Sequence, residues 1–188
     1  MKSEANILLK CFVFIATSLD GFIARPDGDI SWLTDTAYAI ESEDFGIAKF
    51  YASVDTLVMG RKSYETALGF PEWPYSHMRV VVLSHTTPVI PSSLLINVEH
   101  MSGSPEEVVQ KLDASGARSV YVDGGETIQG FLQAGLIDEI TITTIPILLG
   151  SGIPLFGQLA QGIHLKLLTS RVYSNGFVQT RYKVTPSN

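Results

Sequence analysis

One cysteine in 188 residues leaves no partner for an intrachain disulfide. Cys11 lies inside an apolar run and reads as a buried structural thiol. His77, His85, His100 and His164 are scattered, so no metal-ligand spacing exists and no metal centre is expected. Cations are also scarce: 13 Lys and Arg stand against 19 Asp and Glu, a net charge of −6. That balance argues against nucleic acid or an anionic membrane as partner, although a local basic patch could survive it. No stretch approaches the ~20 consecutive apolar residues that a membrane span needs. The apolar run at 7–16 is short and broken by Lys10. It leads into Thr-Ser-Leu-Asp-Gly rather than a small-residue cleavage site, so a cytoplasmic protein is expected. There is no repeat, low-complexity segment or linker.

What is present is an ordinary globular composition, 45% hydrophobic and 17% charged, long enough to bury a core without staples. A single domain over 1–188 is expected. Residues 119–122 form a short β-branched and aromatic run, the pattern of a buried strand. Gly124-Gly125 follows, a tight break that a side chain would obstruct. From Glu126 onward Ile128, Phe131, Leu132 and Leu136 recur at helical spacing. Strand, glycine pair and helix start put free backbone N–H groups on one spot, where a phosphate or pyrophosphate can sit without a basic side chain. A glycine pair between a strand and a helix is equally an ordinary turn.

The same succession recurs earlier. Residues 55–59 read as a strand, Gly60 ends it, and Arg61-Lys62-Ser63-Tyr64-Glu65 opens a short helix with two cations beside it. The plain alternative is a charge pair on a solvated turn. Residues 7–17 read as a central strand apolar on both faces. The polar stretch 18–33 after it is a long loop closed by Trp32, either a pocket wall or a core anchor. A helix is expected over 43–53, where Phe45, Ile47, Ala48, Phe50 and Tyr51 make a wide apolar face. Further strands are expected at 79–83, 94–98 and 139–145, and a helix at 105–114 with proline in its first turn. Residues 149–154 read as loop, and 163–172 with 177–184 as a hairpin about Ser174-Asn175-Gly176. Alternating strands and helices imply a mainly parallel α/β sheet with ligands beyond the carboxyl ends of its strands. The sites after Thr17, Met59, Leu83 and Val122 all fall at such ends.

Val58-Met59-Gly60-Arg61-Lys62-Ser63-Tyr64-Glu65, Val81-Val82-Leu83-Ser84 and Val122-Asp123-Gly124-Gly125 resemble the dihydrofolate reductase superfamily in order and spacing. Ser18-Leu19-Asp20-Gly21-Phe22-Ile23-Ala24 and the segment 145–156, Ile-Pro-Ile-Leu-Leu-Gly-Ser-Gly-Ile-Pro-Leu-Phe, are more similar to its riboflavin-biosynthesis branch. That branch is the reductase domain of bifunctional deaminase–reductases and its stand-alone bacterial relatives. The resemblance spans about 12–182. It implies a dihydrofolate-reductase-like α/β fold: a mainly parallel sheet of about eight strands, an antiparallel C-terminal hairpin, helices on both faces, and often a homodimer.

The resemblance further implies NADPH as hydride donor. Gly60, Arg61, Lys62 and Ser63 would hold its phosphates, Arg61 favouring the 2′-phosphate because its charged fork suits a dianion. Leu83, Ser84 and His85 would flank the adenine-ribose end, and Gly124, Gly125, Glu126 and Thr127 would receive the pyrophosphate. Ala16 and Ile23 would line the nicotinamide, with Asp20 and Gly21 shaping a loop over it. The folate enzymes' catalytic carboxylate aligns with Asp44, raised in pKa if enclosed; a capping aspartate at a helix start is the alternative. Thr143 would face Asp44 across the pocket as a hydrogen-bond partner, or be an ordinary sheet threonine. Trp32, Asp44, Phe45, Ala48 and Thr143 would touch a small heterocyclic substrate. Two positions depart from the pattern: Met78 stands where folate reductases clamp a carboxylate with arginine, and Lys62-Ser63-Tyr64-Glu65 replaces the riboflavin enzymes' phosphate-ribose signature.

The expected activity is NADPH-dependent reduction of a pterin-like or aminopyrimidine-like compound. A 5-amino-6-(5-phosphoribosylamino)uracil reductase comes first and a dihydrofolate reductase second. Two other classes stand beside the enzyme: a non-catalytic dinucleotide-binding sensor, and a dimer-forming structural protein without ligand.

Overall fold

The computed structural model describes residues 8–185. Cys11, Val13, Phe12 and Phe14 make both faces of β1 (Lys10–Ser18) apolar, so this strand lies inside the sheet rather than at its edge. The expected strand at 7–17 corresponds to it, with Ile7 outside the described residues. The remaining main strands are β3 (Thr56–Gly60), β4 (Arg79–Leu83), β5 (Val98–Met101), β6 (Ser119–Asp123), β7 (Glu139–Ile145), β9 (His164–Val172) and β10 (Val178–Thr185). Short β2 (Phe22–Ala24) and β8 (Ile153–Pro154) pair with each other as a separate ribbon, tying two stretches expected as loops.

The eight-stranded sheet runs β5-β4-β3-β6-β1-β7-β10-β9. Its first six strands are parallel, and β10 and β9 close it antiparallel. Helices α3 (Pro105–Ala114) and α4 (Gly125–Gln133) cover one face through Val108, Leu112, Ile128 and Phe131, which meet Val58, Val81, Val120 and Val122. Helices α1 (Ile47–Tyr51) and α2 (Arg61–Leu68) cover the other, where Phe50, Tyr64 and Ala67 meet Leu57, Met59, Val80 and Val82. Each such large side chain contributes ~1.5–3 kcal/mol on burial. A third cluster, Trp32, Ile145, Tyr173 and Phe177, packs on the α1 side over β7 and the hairpin.

Two expectations are corrected. The helix expected over 43–53 shrinks to α1, because Phe45 (φ 55) and Gly46 (φ 84) take left-handed backbone that no α-helix continues through. The strand expected at 94–98 begins only at Val98, where pairing with Val80 starts. Before it, Ser92–Leu94 forms a 3-10 turn after Pro91, and Leu95 and Ile96 stand exposed.

Candidate active site

Parallel pairing brings Ser18, Gly60, Leu83, Asp123 and Ile145, the carboxyl ends of five strands, to one edge of the sheet. Strand β6 returns between β3 and β1 there, the kind of crossover beside which open α/β sheets bind ligands.

Two helices start at this edge with glycine caps. Gly60 precedes α2 and Gly124 precedes α4, and neither has a side-chain cap among the described residues. The turns are in close contact. A Cβ on Gly124 (φ 92) would lie 2.5 Å from Ser63 Oγ, and one on Gly60 would lie 3.0 Å from Thr127 Oγ1. Gly125 is pressed against Ile23 and the Pro154 carbonyl: a Cβ there would lie 3.2 Å from each. Close approach of three chain segments therefore requires these glycines. Arg61 reaches Thr86 (3.4 Å) and Glu65 (3.7 Å), and Lys62 reaches Glu126 (3.3 Å), all at the solvent rim. Leu83 pairs with Gly60; the Ser84 hydroxyl accepts from the Thr86 amide, and His85 is exposed beside it. Thus Gly60, Arg61, Lys62, Ser63, Leu83, Ser84, His85, Gly124, Gly125, Glu126, Thr127 and Ile23 gather around one place.

A second group lies over β1, β7 and β10. Ala16 pairs with Thr143 in the sheet and packs with Trp32, Phe45, Tyr173 and Phe177. The Gln179 amide donates to Thr143 Oγ1 and to the Phe45 carbonyl, both at 2.9 Å. Trp32 is 4% exposed, yet its indole N–H has no partner among the described residues. Leaving such a donor buried costs ~1–3 kcal/mol.

Two expected residues, Asp44 and Ala48, fall elsewhere. Asp44 is exposed and serves as a cap: Oδ1 accepts from the Gly46 amide (2.9 Å) and Oδ2 from Ala48 (3.0 Å). Those hydrogen bonds hold its pKa below the usual aspartate value, so the enclosure a proton donor needs is missing. Ala48 is likewise exposed. Asp20 is spent as a clasp, accepting from the Ser18 hydroxyl (2.6 Å) and the Leu149 (3.2 Å) and Gly150 (2.8 Å) amides. It joins the loop after β1, turned at Gly21, to the loop after β7.

A carboxyl with the enclosure Asp44 lacks is Asp123. Withdrawal from water raises its pKa; hydrogen bonds from the Tyr121 hydroxyl, the Gly124 amide and the Ser63 hydroxyl pull the other way without cancelling that effect. The Tyr121 hydroxyl lies 3.0 Å from the Phe14 carbonyl and 3.2 Å from Asp123 Oδ1. Tyr51 and Tyr75, hydrogen-bonded to each other, are raised chiefly by burial and secondarily by this carboxyl. The signal in the sequence was an acid directly ahead of Gly124-Gly125 at the end of a buried strand. A surface groove of ≈430 Å³ lined by Arg79, Leu95, Ile96, Asn97, Val98 and Glu99 lies at the amino ends of β4 and β5 and has no part in this edge.

Sheet order, glycine-led helix starts and an enclosed carboxyl together define the class: a dihydrofolate-reductase-like α/β domain. The comparisons agree. The model of the RibD C-terminal domain matches residues 10–179. The uncharacterized protein YwjB of Bacillus subtilis is 33% identical over 176 residues, covering 92% of this chain and 97% of its own. A crystal structure from Shewanella sp. PV-4, provisionally ascribed to riboflavin biosynthesis, superposes with a TM-score of 0.88 at 40% identity, covering 95% of this chain and all of that one. Dihydrofolate reductase from Enterococcus faecalis, complexed with NADP(H), shares the fold at a TM-score of 0.63 and 15% identity, covering 96% and 98%. This chain belongs to the RibD C-terminal domain family.

Proposed function

We propose that this domain reduces a pterin-like or aminopyrimidine-like molecule at a C=N carbon, or at a sugar-derived C=O or C=N, in the cytoplasm with NADPH. The observation that carries the reading is the pair of glycine-led, uncapped helix starts in contact across β3 and β6. Gly60–Ser63 and Gly124–Thr127 suit a pyrophosphate there, since amides and helix dipoles favour an anion. Arg61, beside Thr86, suits a 2′-phosphate. NADPH bound there would supply the hydride.

The protein's own part is to position the substrate and supply a proton. Hydride addition to a C=N carbon leaves charge on nitrogen. Asp123 is half-buried at the carboxyl end of β6 beside β1, holds its proton to higher pH than an ordinary aspartate, and is assigned as the donor, directly or through a water, in place of Asp44. Thr143 is held by Gln179, and the unpaired Trp32 indole N–H calls for an acceptor such as a substrate carbonyl or ring nitrogen. The first substrate to test is 5-amino-6-(5-phosphoribosylamino)uracil or its deaminated, reducible kin. Dihydrofolate ranks below it. Met78 is buried in the core, and Arg79 turns to Glu99 and Ser115 on the other side of β4, so neither supplies a carboxylate clamp.

A non-catalytic sensor remains the second reading, favoured by Trp32 and Tyr38 packing into the aromatic cluster over the substrate side. NADPH oxidation screened against aminopyrimidines, dihydropterins and dihydrofolate separates the two. Turnover that falls ~10²–10⁴-fold in Asp123→Asn, with NADPH affinity kept, is expected for the enzyme. Cofactor binding without turnover of any of these identifies the sensor. No rise in melting temperature, where a hundredfold excess over Kd should add ~2.7 kcal/mol, ends both.

A further inference from the structure

Gln179 of β10 lies opposite Thr143, and Thr143 lies opposite Ala16, so the three make one cross-strand row on the α1 side of the sheet. The Gln179 amide is engaged at both ends. Its Nε2 donates to the Phe45 carbonyl and to Thr143 Oγ1, both at 2.9 Å, and its Oε1 accepts from the Tyr173 hydroxyl at 3.4 Å. Because a carbonyl can only accept, Phe45 decides which end of the amide is nitrogen. That carbonyl belongs to a residue with left-handed backbone (φ 55), a conformation that a bulky side chain takes only where its surroundings impose it. Thr143 Oγ1 thus receives a hydrogen from Gln179, and its own proton must point elsewhere. Thr143 is 5% exposed, and no acceptor meets that proton among the described residues. The same aromatic cluster holds the Trp32 indole, a group that can only donate and that also lacks a partner there. The carboxylates of the covering segment are already taken. Glu43 receives the Phe45 amide (2.8 Å) and Arg171 (3.1 Å), and Asp44 receives Gly46 and Ala48. Ala16 and Phe45, packed against the cluster, are only half-buried, so solvent reaches its rim.

We infer that Gln179 is a positioning residue that commits the Thr143 hydroxyl to donate, and that Thr143 and Trp32 together select a substrate ring presenting carbonyl oxygens over one presenting an amino group. Resting on the reading that this cluster receives the substrate, the polarity of its hydrogen bonds separates the candidate rings. A carbonyl oxygen accepts from either donor. An amino group in its place sets donor against donor, and neither Glu43 nor Asp44 is free to receive it. Donors left buried and unpaired are what make such a mismatch costly, so a site of this kind discriminates more sharply than an apolar pocket of the same shape.

Lumazine and pterin are suitable probes, since the two rings match in size and carry a 2-oxo and a 2-amino group respectively. Fluorescence titration gives their dissociation constants without turnover, in the protein alone and in the protein saturated with NADP+. Lumazine should bind roughly ten- to a hundredfold more tightly than pterin. Thr143→Val keeps the side-chain shape, removes the hydroxyl, and should erase most of that preference by weakening lumazine and not pterin. Gln179→Glu places an acceptor against the Thr143 proton and turns the hydroxyl oxygen outward. It should swing the preference toward pterin, a reversal that loosened packing cannot produce. Should Gln179→Glu fail to fold, as its melting curve would show, Thr143→Val decides alone. Pterin binding as tightly as lumazine, a preference unchanged in Thr143→Val, or binding of neither ring overturns the inference. Failure of the reductase reading looks different: lumazine binds with its preference intact, and NADPH is not oxidised with any of the substrates screened.

Discussion

Helices α3 and α4 cover the same face of the sheet, yet their first turns are built in opposite ways. Ser104 caps α3 with its hydroxyl on the Glu107 amide (3.3 Å), and Glu107 reaches back to the Ser104 amide (3.0 Å), with Pro105 placed where no donor is needed. Its orphan amides are answered by its own sequence. Gly124 has no side chain to cap α4, and its positive φ and contact with Ser63 keep it that way. One helix start is finished by its own side chains; the other gives up a cap worth ~1 kcal/mol and has no side-chain acceptor for its first amides among the described residues. The difference follows position: α4 starts where β6 ends between β3 and β1, while α3 starts beyond the outer strand β5.

Mutations can break this contrast, and the largest effect belongs to the open end. Gly124→Ala forces a Cβ into Ser63 at a backbone conformation only glycine accepts. A loss of ~1–3 kcal/mol in denaturant unfolding is expected, together with loss of the NADPH-induced melting shift. Arg61→Ala should weaken NADPH ten- to a hundredfold and NADH far less, as removal of a ~1.5–3 kcal/mol charge-assisted contact predicts; equal weakening of both in titration would place the 2′-phosphate elsewhere. Ser104→Ala, at the closed end, should cost ~1 kcal/mol of stability and leave cofactor affinity untouched, measured on the same sample. Asp44→Asn should act least, with a slight fall in melting temperature and unchanged turnover; a large loss of turnover would return Asp44 to the chemistry.

The exposed carboxyls, Asp44 and Asp20, and the enclosed one, Asp123, respond to pH with opposite sign. Asp44 and Asp20 have lowered pKa values, so the stability they contribute is present above the ordinary aspartate pKa and is lost as pH falls through their depressed values. Asp123 is raised. Its contribution is full below the ordinary value and is lost as pH rises through its folded pKa. A pH profile of turnover whose alkaline limb disappears in Asp123→Asn but persists in Asp44→Asn would tie that limb to Asp123.

Much of this was readable from residue order. Strands β4 and β7 and helix α3 fall where periodicity and flanking residues place them, because each is a buried run or an amphipathic turn with local end signals. Helix α1 is shorter than its apolar spacing suggests because the run from Phe45 to Tyr51 carries no mark of the left-handed backbone at Phe45. Leu94 to Val98 resembles a strand, but a strand exists only where a neighbour pairs with it. The β2–β8 ribbon leaves no mark in the local sequence for the same reason: its two halves lie more than a hundred residues apart.

By itself, the sequence determined the alternation of strands and helices and put glycines where chain segments meet closely, since these depend on neighbours along the chain. Only the tertiary structure decided which acid is enclosed. Asp44 and Asp123 are the same side chain, and one became a solvated cap while the other came to lie with Tyr51, Tyr75, Tyr121 and Ser63. Desolvation is a property of what surrounds a group, and those surroundings come from segments far away in the chain.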